Sequence, residues 1–83
     1  MYNIEYTQRA KKDIKKLEKE TQIRIINSLE KIRIRPEHYI ERLVGLPYYK
    51  LRIGDYRAIL AVKNKELIVL VIEVKHRKNV YKK

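Results

Sequence analysis

The sequence predicts an α+β fold in which a short N-terminal strand, a helical hairpin and a three-stranded antiparallel meander form one sheet, with the helices packed on one face. Three observations predict it: alternating apolar and polar residues at the N-terminus, helical spacing of apolar residues up to Arg35-Pro36, and a Gly54-Asp55 dipeptide between two strand-like runs. A length of 83 residues, without a linker or an internal repeat, predicts one domain spanning residues 1–83.

The first half of the chain predicts a strand and two helices. Apolar and polar residues alternate, as in a half-buried strand, around Tyr2, Ile4 and Tyr6. Thr7 can cap the helix that follows. Apolar residues then recur at helical spacing, first at Ala10, Ile14 and Leu17 and then at Ile25 or Ile26, Leu29 and Ile32. One helix over residues 8–34 would be about 40 Å long. Because a globule of this size is only roughly 30 Å across, we expect a turn near Lys19 to Thr21.

The second half predicts three antiparallel strands, at residues 48–53, 56–63 and 66–74, after a loop from Pro36 to Pro47. Alternation assigns to the helix-facing side Tyr49, Leu51, Ile53, Tyr56, Ala58, Leu60 and Val62. It assigns to the other side Tyr48, Lys50, Arg52, Arg57, Ile59 and Ala61. The third strand is apolar almost throughout, which predicts a central strand covered on both faces. A two-residue turn at Asn64-Lys65 would place Arg57 opposite Ile72.

The Gly54-Asp55 dipeptide is the most informative feature for function. Such a dipeptide closes a β-hairpin because the turn needs positive φ, which Gly and Asp tolerate. Arg52 would then lie directly opposite Arg57, and two like charges opposed on one ladder destabilise a sheet. We infer that an anionic partner binds at this place.

The charge of the chain agrees with an anionic partner. Formal net charge is +11. Residues 1–41 hold ten basic and seven acidic residues (+3), and residues 42–83 hold eleven and three (+8). A basic domain of this kind binds nucleic acid, an anionic membrane surface or an acidic protein, and the composition favours nucleic acid.

Several functions are excluded by what the sequence lacks. It has no Cys and only His38 and His76, without a metal-ligand spacing, so we expect no metal site, no cofactor and no thiol chemistry. The longest apolar run, Leu67 to Ile72, is far shorter than the ~20 residues of a membrane span. We therefore expect a cytoplasmic protein with no membrane partner.

Two motifs in order carry a resemblance to a known family. Lys-Leu-Arg-Ile-Gly-Asp-Tyr-Arg at residues 50–57 and His-Arg-Lys-Asn-Val-Tyr at residues 76–81, on the predicted element order, resemble the RelE/ParE superfamily of toxins from type II toxin–antitoxin pairs, and the RelE branch in particular. The resemblance covers essentially the whole chain. It implies an endoribonuclease that cuts messenger RNA on the ribosome without metal, by attack of a ribose 2′-hydroxyl on its own 3′-phosphate. It also implies neutralisation by a cognate acidic, RelB-like antitoxin.

The resemblance implies a catalytic set that matches the family's active-site positions, namely Lys50, Arg52, Arg57, Arg77 and Tyr81. The reaction develops negative charge on a pentacoordinate phosphorane, and guanidinium groups stabilise such charge. Lys50 could be the base, because neighbouring cations disfavour its protonated form. Tyr81 could transfer a proton or stack on a base. The identity of the base stays open, because Tyr48 stands where nuclease members of the family carry a further Lys.

Further candidates are assigned to RNA binding: Tyr48, which could stack on a nucleotide, and Lys75, His76 and Lys78 of the basic tail. The strand register leaves open which of His76 and Arg77 points into the site.

Other interpretations remain open at this level. Arg52 and Arg57 could pair with Asp55 and Glu73, and Lys50 could be a solvated strand lysine. Tyr81 could be a packing or disordered residue of the tail. At the level of function, the alternatives are a ParE-like toxin that inhibits DNA gyrase without nuclease activity and a non-catalytic RNA- or ribosome-binding module.

Overall fold

The computed structural model describes residues 1–77 and confirms the predicted α+β fold. Its elements in chain order are β1 (Asn3–Tyr6), α1 (Gln8–Lys15), α2 (Lys19–Lys31), a 3-10 turn (Pro36–His38), β2 (Glu41–Arg42), β3 (Tyr49–Ile53), β4 (Tyr56–Lys63) and β5 (Ile68–His76). The helices are separated at residues 16–18, a few residues before the predicted turn.

The strands of residues 1–77 form one five-stranded sheet in the order β1-β5-β4-β3-β2. β1 lies parallel to β5, and the other neighbours are antiparallel. The short β2 lies within the segment from Pro36 to Pro47 that the sequence predicts as a loop. It pairs with β3 and places Glu41 opposite Lys50.

The core lies between the helices and one face of the sheet. The helices contribute Ala10, Ile14, Ile25 and Leu29, and Ile32 follows directly after α2. The sheet contributes Leu51, Ile53, Ala58, Leu60, Val69, Val71 and Val74. In β5, buried residues alternate with half-buried ones, so this strand is interior to the sheet but covered on one face only, contrary to the prediction. Within residues 1–77, no helix packs on the opposite face.

Two side chains of the α1 region hold the part of β5 that extends beyond β1. Thr7 caps α1 by accepting a hydrogen bond from the Ala10 amide at 3.0 Å, and its hydroxyl donates to the Ile72 carbonyl at 2.6 Å. Asp13 accepts a hydrogen bond from the Val74 amide at 3.0 Å. Since these contacts satisfy backbone groups that no neighbouring strand reaches, they fix the segment that leads to Arg77.

Among residues 1–77, no helix has both the length and the apolar character that crossing a membrane requires. Nor does this part of the chain bring together three His, Asp or Glu side chains that could hold a metal ion.

Candidate RNA-binding and catalytic site

The hairpin of β3 and β4 has the register that its turn predicts. Gly54 adopts φ of +59°, and Arg52 lies opposite Arg57, with Ile53 opposite Tyr56. The two-residue turn fixes this pairing, so the opposed arginines are confirmed. They project from the face opposite the helices, since Ile53 and Ala58 beside them are buried under the helices.

The register of β4 with β5 differs from the prediction. Four residues, 64–67, form the turn, with Leu67 at φ of +56°, and Ile72 is an extra residue in a β-bulge. Arg57 therefore pairs with Lys75, not with Ile72. With this register, the row of opposed cations spans three strands, in the order Arg52, Arg57, Lys75.

The observed register also shows which of His76 and Arg77 points into the site. His76 pairs with Tyr56 and packs against its ring edge-on, at 4.9 Å between centroids and 86° between planes. Arg77 donates its backbone N–H to the Asp55 carbonyl at 2.6 Å, which ties the end of β5 to the hairpin turn. Arg77, and not His76, borders the same cavity as Arg52 and Arg57.

That cavity has a volume of about 130 Å³ and is lined by Arg52, Gly54, Tyr56, Arg57 and Arg77. We call it the guanidinium pocket. Within residues 1–77, the side chains of its three arginines form no ion pair and no hydrogen bond. The alternative in which Arg52 and Arg57 pair with Asp55 and Glu73 is therefore wrong for this structure. Three guanidinium groups that have no acceptor in residues 1–77 and surround one small cavity suit an anion with several oxygens, such as a phosphate.

Lys50 borders a second cavity, of about 110 Å³, together with Tyr39, Glu41 and Arg52. Because Arg52 lines both cavities, the second one adjoins the guanidinium pocket. The Lys50 Nζ lies 3.5 Å from Glu41 Oε1, whose side chain is 75% exposed. An ion pair this open to water is weak, so the Lys50 ammonium can exchange its carboxylate partner for a phosphate.

The other predicted residues are placed as follows. Tyr48 is exposed and immediately precedes β3. The Lys75 Nζ lies 3.3 Å from Glu73 Oε2. Lys75 and His76 line a separate cavity of about 420 Å³ beside α1. Lys78 and Tyr81 lie outside the described residues.

The sequence pattern does not predict two neighbours of the site. Tyr56, which alternation assigns to the helix-facing side, packs against the core and also lines the guanidinium pocket and the cavity beside α1. Its position opposite Ile53 in the hairpin gave no sign of this. Glu41 reaches Lys50 only because β2 forms, and a two-residue strand leaves no periodic signal in a sequence.

Comparison with known proteins agrees with this architecture. Residues 4–81 match the family model of the ParE toxin of type II toxin–antitoxin systems, parDE. The chain therefore belongs to this family of toxins. No curated protein matches the chain.

The structural neighbours include toxins of the RelE branch. The E. coli RelBE toxin–antitoxin complex contains a chain that is 28% identical, with a TM-score of 0.77 and coverage of 92% of this chain and 96% of that one. The archaeal RelE–RelB complex from Pyrococcus horikoshii OT3 gives 24% identity, a TM-score of 0.78 and coverage of 92% and 94%. The RelBE2 complex of Mycobacterium tuberculosis contains a chain that is 20% identical, with a TM-score of 0.82 and coverage of 92% of this chain and 98% of that one. The resemblance to the RelE branch of the RelE/ParE superfamily is confirmed.

Proposed function

We propose that this toxin is a ribosome-dependent endoribonuclease that cuts messenger RNA by attack of a 2′-hydroxyl on the adjacent phosphate. The observation that carries the proposal is the guanidinium pocket, in which Arg52, Arg57 and Arg77 lie together without a protein acceptor among residues 1–77. A scissile phosphate is the kind of group that such a pocket binds. Its additional negative charge in the transition state is the kind of charge that preorganised guanidinium groups stabilise.

Each residue has a role in this proposal. Arg57 is half-buried and central in the row of cations, so it stabilises the phosphorane. Arg52 and Arg77 hold the non-bridging oxygens from either side. Lys50, in the adjoining cavity, accepts the proton of the 2′-hydroxyl or contacts a phosphate. Tyr81 as the proton donor to the leaving 5′-oxygen is carried over from the RelE resemblance alone.

The competing function is gyrase inhibition without RNA cleavage, and the family model bears the ParE name. The pocket favours the nuclease, because a toxin that acts by occupying a topoisomerase needs no cluster of unpaired arginines. The likeness to a chain of the E. coli RelBE complex at 28% identity supports the RelE branch, for which the sequence resemblance implies an RNA target.

One preparation of purified toxin can separate the two functions. It is added in parallel to a reconstituted translation reaction with a defined messenger RNA and to a gyrase supercoiling reaction. We expect cuts in the messenger RNA only when ribosomes are present, and unchanged supercoiling. Inhibited supercoiling with intact messenger RNA would establish the ParE-like alternative. Ribosome binding without cleavage would establish the non-catalytic module.

We further propose a cognate antitoxin rich in acidic residues. The comparison structures from E. coli, P. horikoshii and M. tuberculosis are toxin–antitoxin complexes. Here the +8 charge of residues 42–83 would attract acidic side chains and steer a fast encounter. The association rate with the product of the neighbouring gene should fall steeply as salt rises. A rate that is insensitive to salt would show that charge does not guide this partner.

A further inference from the structure

A fourth guanidinium group lies against the turn that borders the guanidinium pocket. A Cβ atom at Gly54 would lie 2.9 Å from both Cζ and Nη1 of Arg24, and 3.0 Å from its Nη2. Because these three distances are nearly equal, the planar guanidinium group of Arg24 lies face-on against Gly54. The absence of a side chain at Gly54 makes this approach possible.

Arg24 belongs to α2, on the other side of the sheet from the row of cations, and reaches the turn at the end of the hairpin. Gly54 lines the guanidinium pocket, so only the width of this residue separates Arg24 from the pocket. Arg24 is exposed, and within residues 1–77 its side chain forms neither an ion pair nor a hydrogen bond. The carboxylate of Asp55, in the same turn, forms no ion pair in this range. No group of residues 1–77 therefore occupies the five N–H donors of Arg24, which can bind a ligand.

We propose that Arg24 binds a second phosphate of the RNA strand, next to the phosphate held in the guanidinium pocket. The proposal rests on the nuclease function and adds a backbone contact to it. A polynucleotide presents phosphates at regular intervals, so a strand whose scissile phosphate occupies the pocket continues past the rim that Gly54 and Arg24 form. A contact of this kind strengthens binding and sets the register of the strand, but takes no part in the chemistry.

Arg24→Gln removes the charge at an exposed position and should leave the fold intact. Lys31→Gln is the matched control: it removes one charge from the same helix and the same face, about 10.5 Å further along the axis. Cleavage is measured under single-turnover conditions on ribosomes programmed with messenger RNA, as a function of toxin concentration. For Arg24→Gln we expect the half-saturating concentration to rise about tenfold, the scale of one hydrogen-bonded charge contact. The maximal rate should change less than threefold.

A second measurement does not depend on cleavage. The toxin is titrated with a short single-stranded RNA that carries 2′-deoxyribose at the cleavage site, at several salt concentrations. Loss of one phosphate contact should reduce the slope of log K against log salt by about 0.7 for Arg24→Gln. Replacing the phosphates that flank the cleavage site by neutral methylphosphonates, one at a time, should identify one position at which the parent and Arg24→Gln bind equally.

The outcomes separate this inference from the proposed function. If the parent toxin binds the RNA with the expected Arg24 dependence but does not cut messenger RNA, the nuclease function is wrong and the phosphate contact stands. If Arg24→Gln behaves as Lys31→Gln does in both measurements, the contact does not exist. A fall in maximal rate without a change in half-saturation would also overturn it, because it would place Arg24 in the chemical step.

Discussion

Replacement of Arg57 by Gln should separate stability from activity. Arg57 lies opposite Arg52 on one side and Lys75 on the other, so its positive charge meets like charge across both neighbouring strands. A directly opposed like-charged pair destabilises a sheet by a few tenths of a kcal/mol. Lys75 is partly neutralised by Glu73, at 3.3 Å, so the repulsion from Arg52 is the larger contribution. Removing the Arg57 charge should raise the free energy of unfolding by between ~0 and ~1 kcal/mol.

In a thermal melt, this change corresponds to a Tm that is unchanged or higher by up to about 8 °C, since 1 kcal/mol shifts the Tm of a domain of this size by roughly 4–8 °C. The single-turnover cleavage rate on programmed ribosomes should nevertheless fall at least ~100-fold, as when one charge-stabilising donor is removed from a transition state. The same preparation is used for both measurements.

Lys63→Gln is the control for this prediction. Lys63 lies on β4, on the same face as Arg57 and six residues further along, and is exposed at the opposite end of the strand. It should change neither the Tm nor the cleavage rate appreciably. A much lower Tm for Arg57→Gln would show that its guanidinium group stabilises the fold. If Arg57→Gln cleaves at the rate of the parent, Arg57 is not part of the active site.

Three further predictions follow from single contacts. If Lys50 accepts a proton, the cleavage rate should fall as severely in Lys50→Arg as in Lys50→Met, because Arg does not deprotonate. If Lys50 only contacts phosphate, the cleavage rate of Lys50→Arg should stay near that of the parent. Asp13→Ala should lower the free energy of unfolding by about 1–3 kcal/mol in urea denaturation, because it leaves the Val74 amide without an acceptor. Asp13→Asn keeps an acceptor oxygen and should lower the free energy of unfolding less. Equal losses for the two variants would show that this hydrogen bond contributes little. Burial, and secondarily the charge of Glu30, raises the pKa of Tyr6 above 10.0. The folded state therefore holds the phenol proton of Tyr6 more tightly than the unfolded state does. The resulting contribution to the free energy of unfolding is complete below pH ~10 and is lost as pH rises through the raised pKa. As pH rises above about 10, Tyr6→Phe should therefore lose less stability than the parent in urea denaturation at each pH, and parallel losses would contradict this.

The sequence predicted the elements whose signals are local. Thr7 caps α1 as expected, and the bounds of β4 agree with the prediction. The pairing of Arg52 with Arg57 could be predicted because a two-residue turn leaves one register only. The candidate pocket was partly predictable for the same reason, since the motif at residues 50–57 supplies Arg52, Gly54 and Arg57.

Features that depend on tertiary packing could not be predicted. The β-bulge at Ile72 and the four-residue turn before β5 moved the partner of Arg57 by three positions, from Ile72 to Lys75. A bulge changes no hydrophobic period strongly enough to be seen in a single sequence. Arg24 is one of several cations on an amphipathic helix, and only the packing of α2 on the sheet brings it to Gly54.

The chemistry of the cut ends tests the nuclease mechanism most directly. Messenger RNA cut by the toxin on ribosomes is isolated, and both new ends are identified by mass spectrometry, with a matched transcript carrying 2′-deoxyribose at the cleavage site as control. Attack by the 2′-hydroxyl predicts a 2′,3′-cyclic phosphate or 3′-phosphate, a 5′-hydroxyl, and no cut in the deoxy transcript. A 3′-hydroxyl with a 5′-phosphate, or cleavage of the deoxy transcript at the same site, would contradict the mechanism.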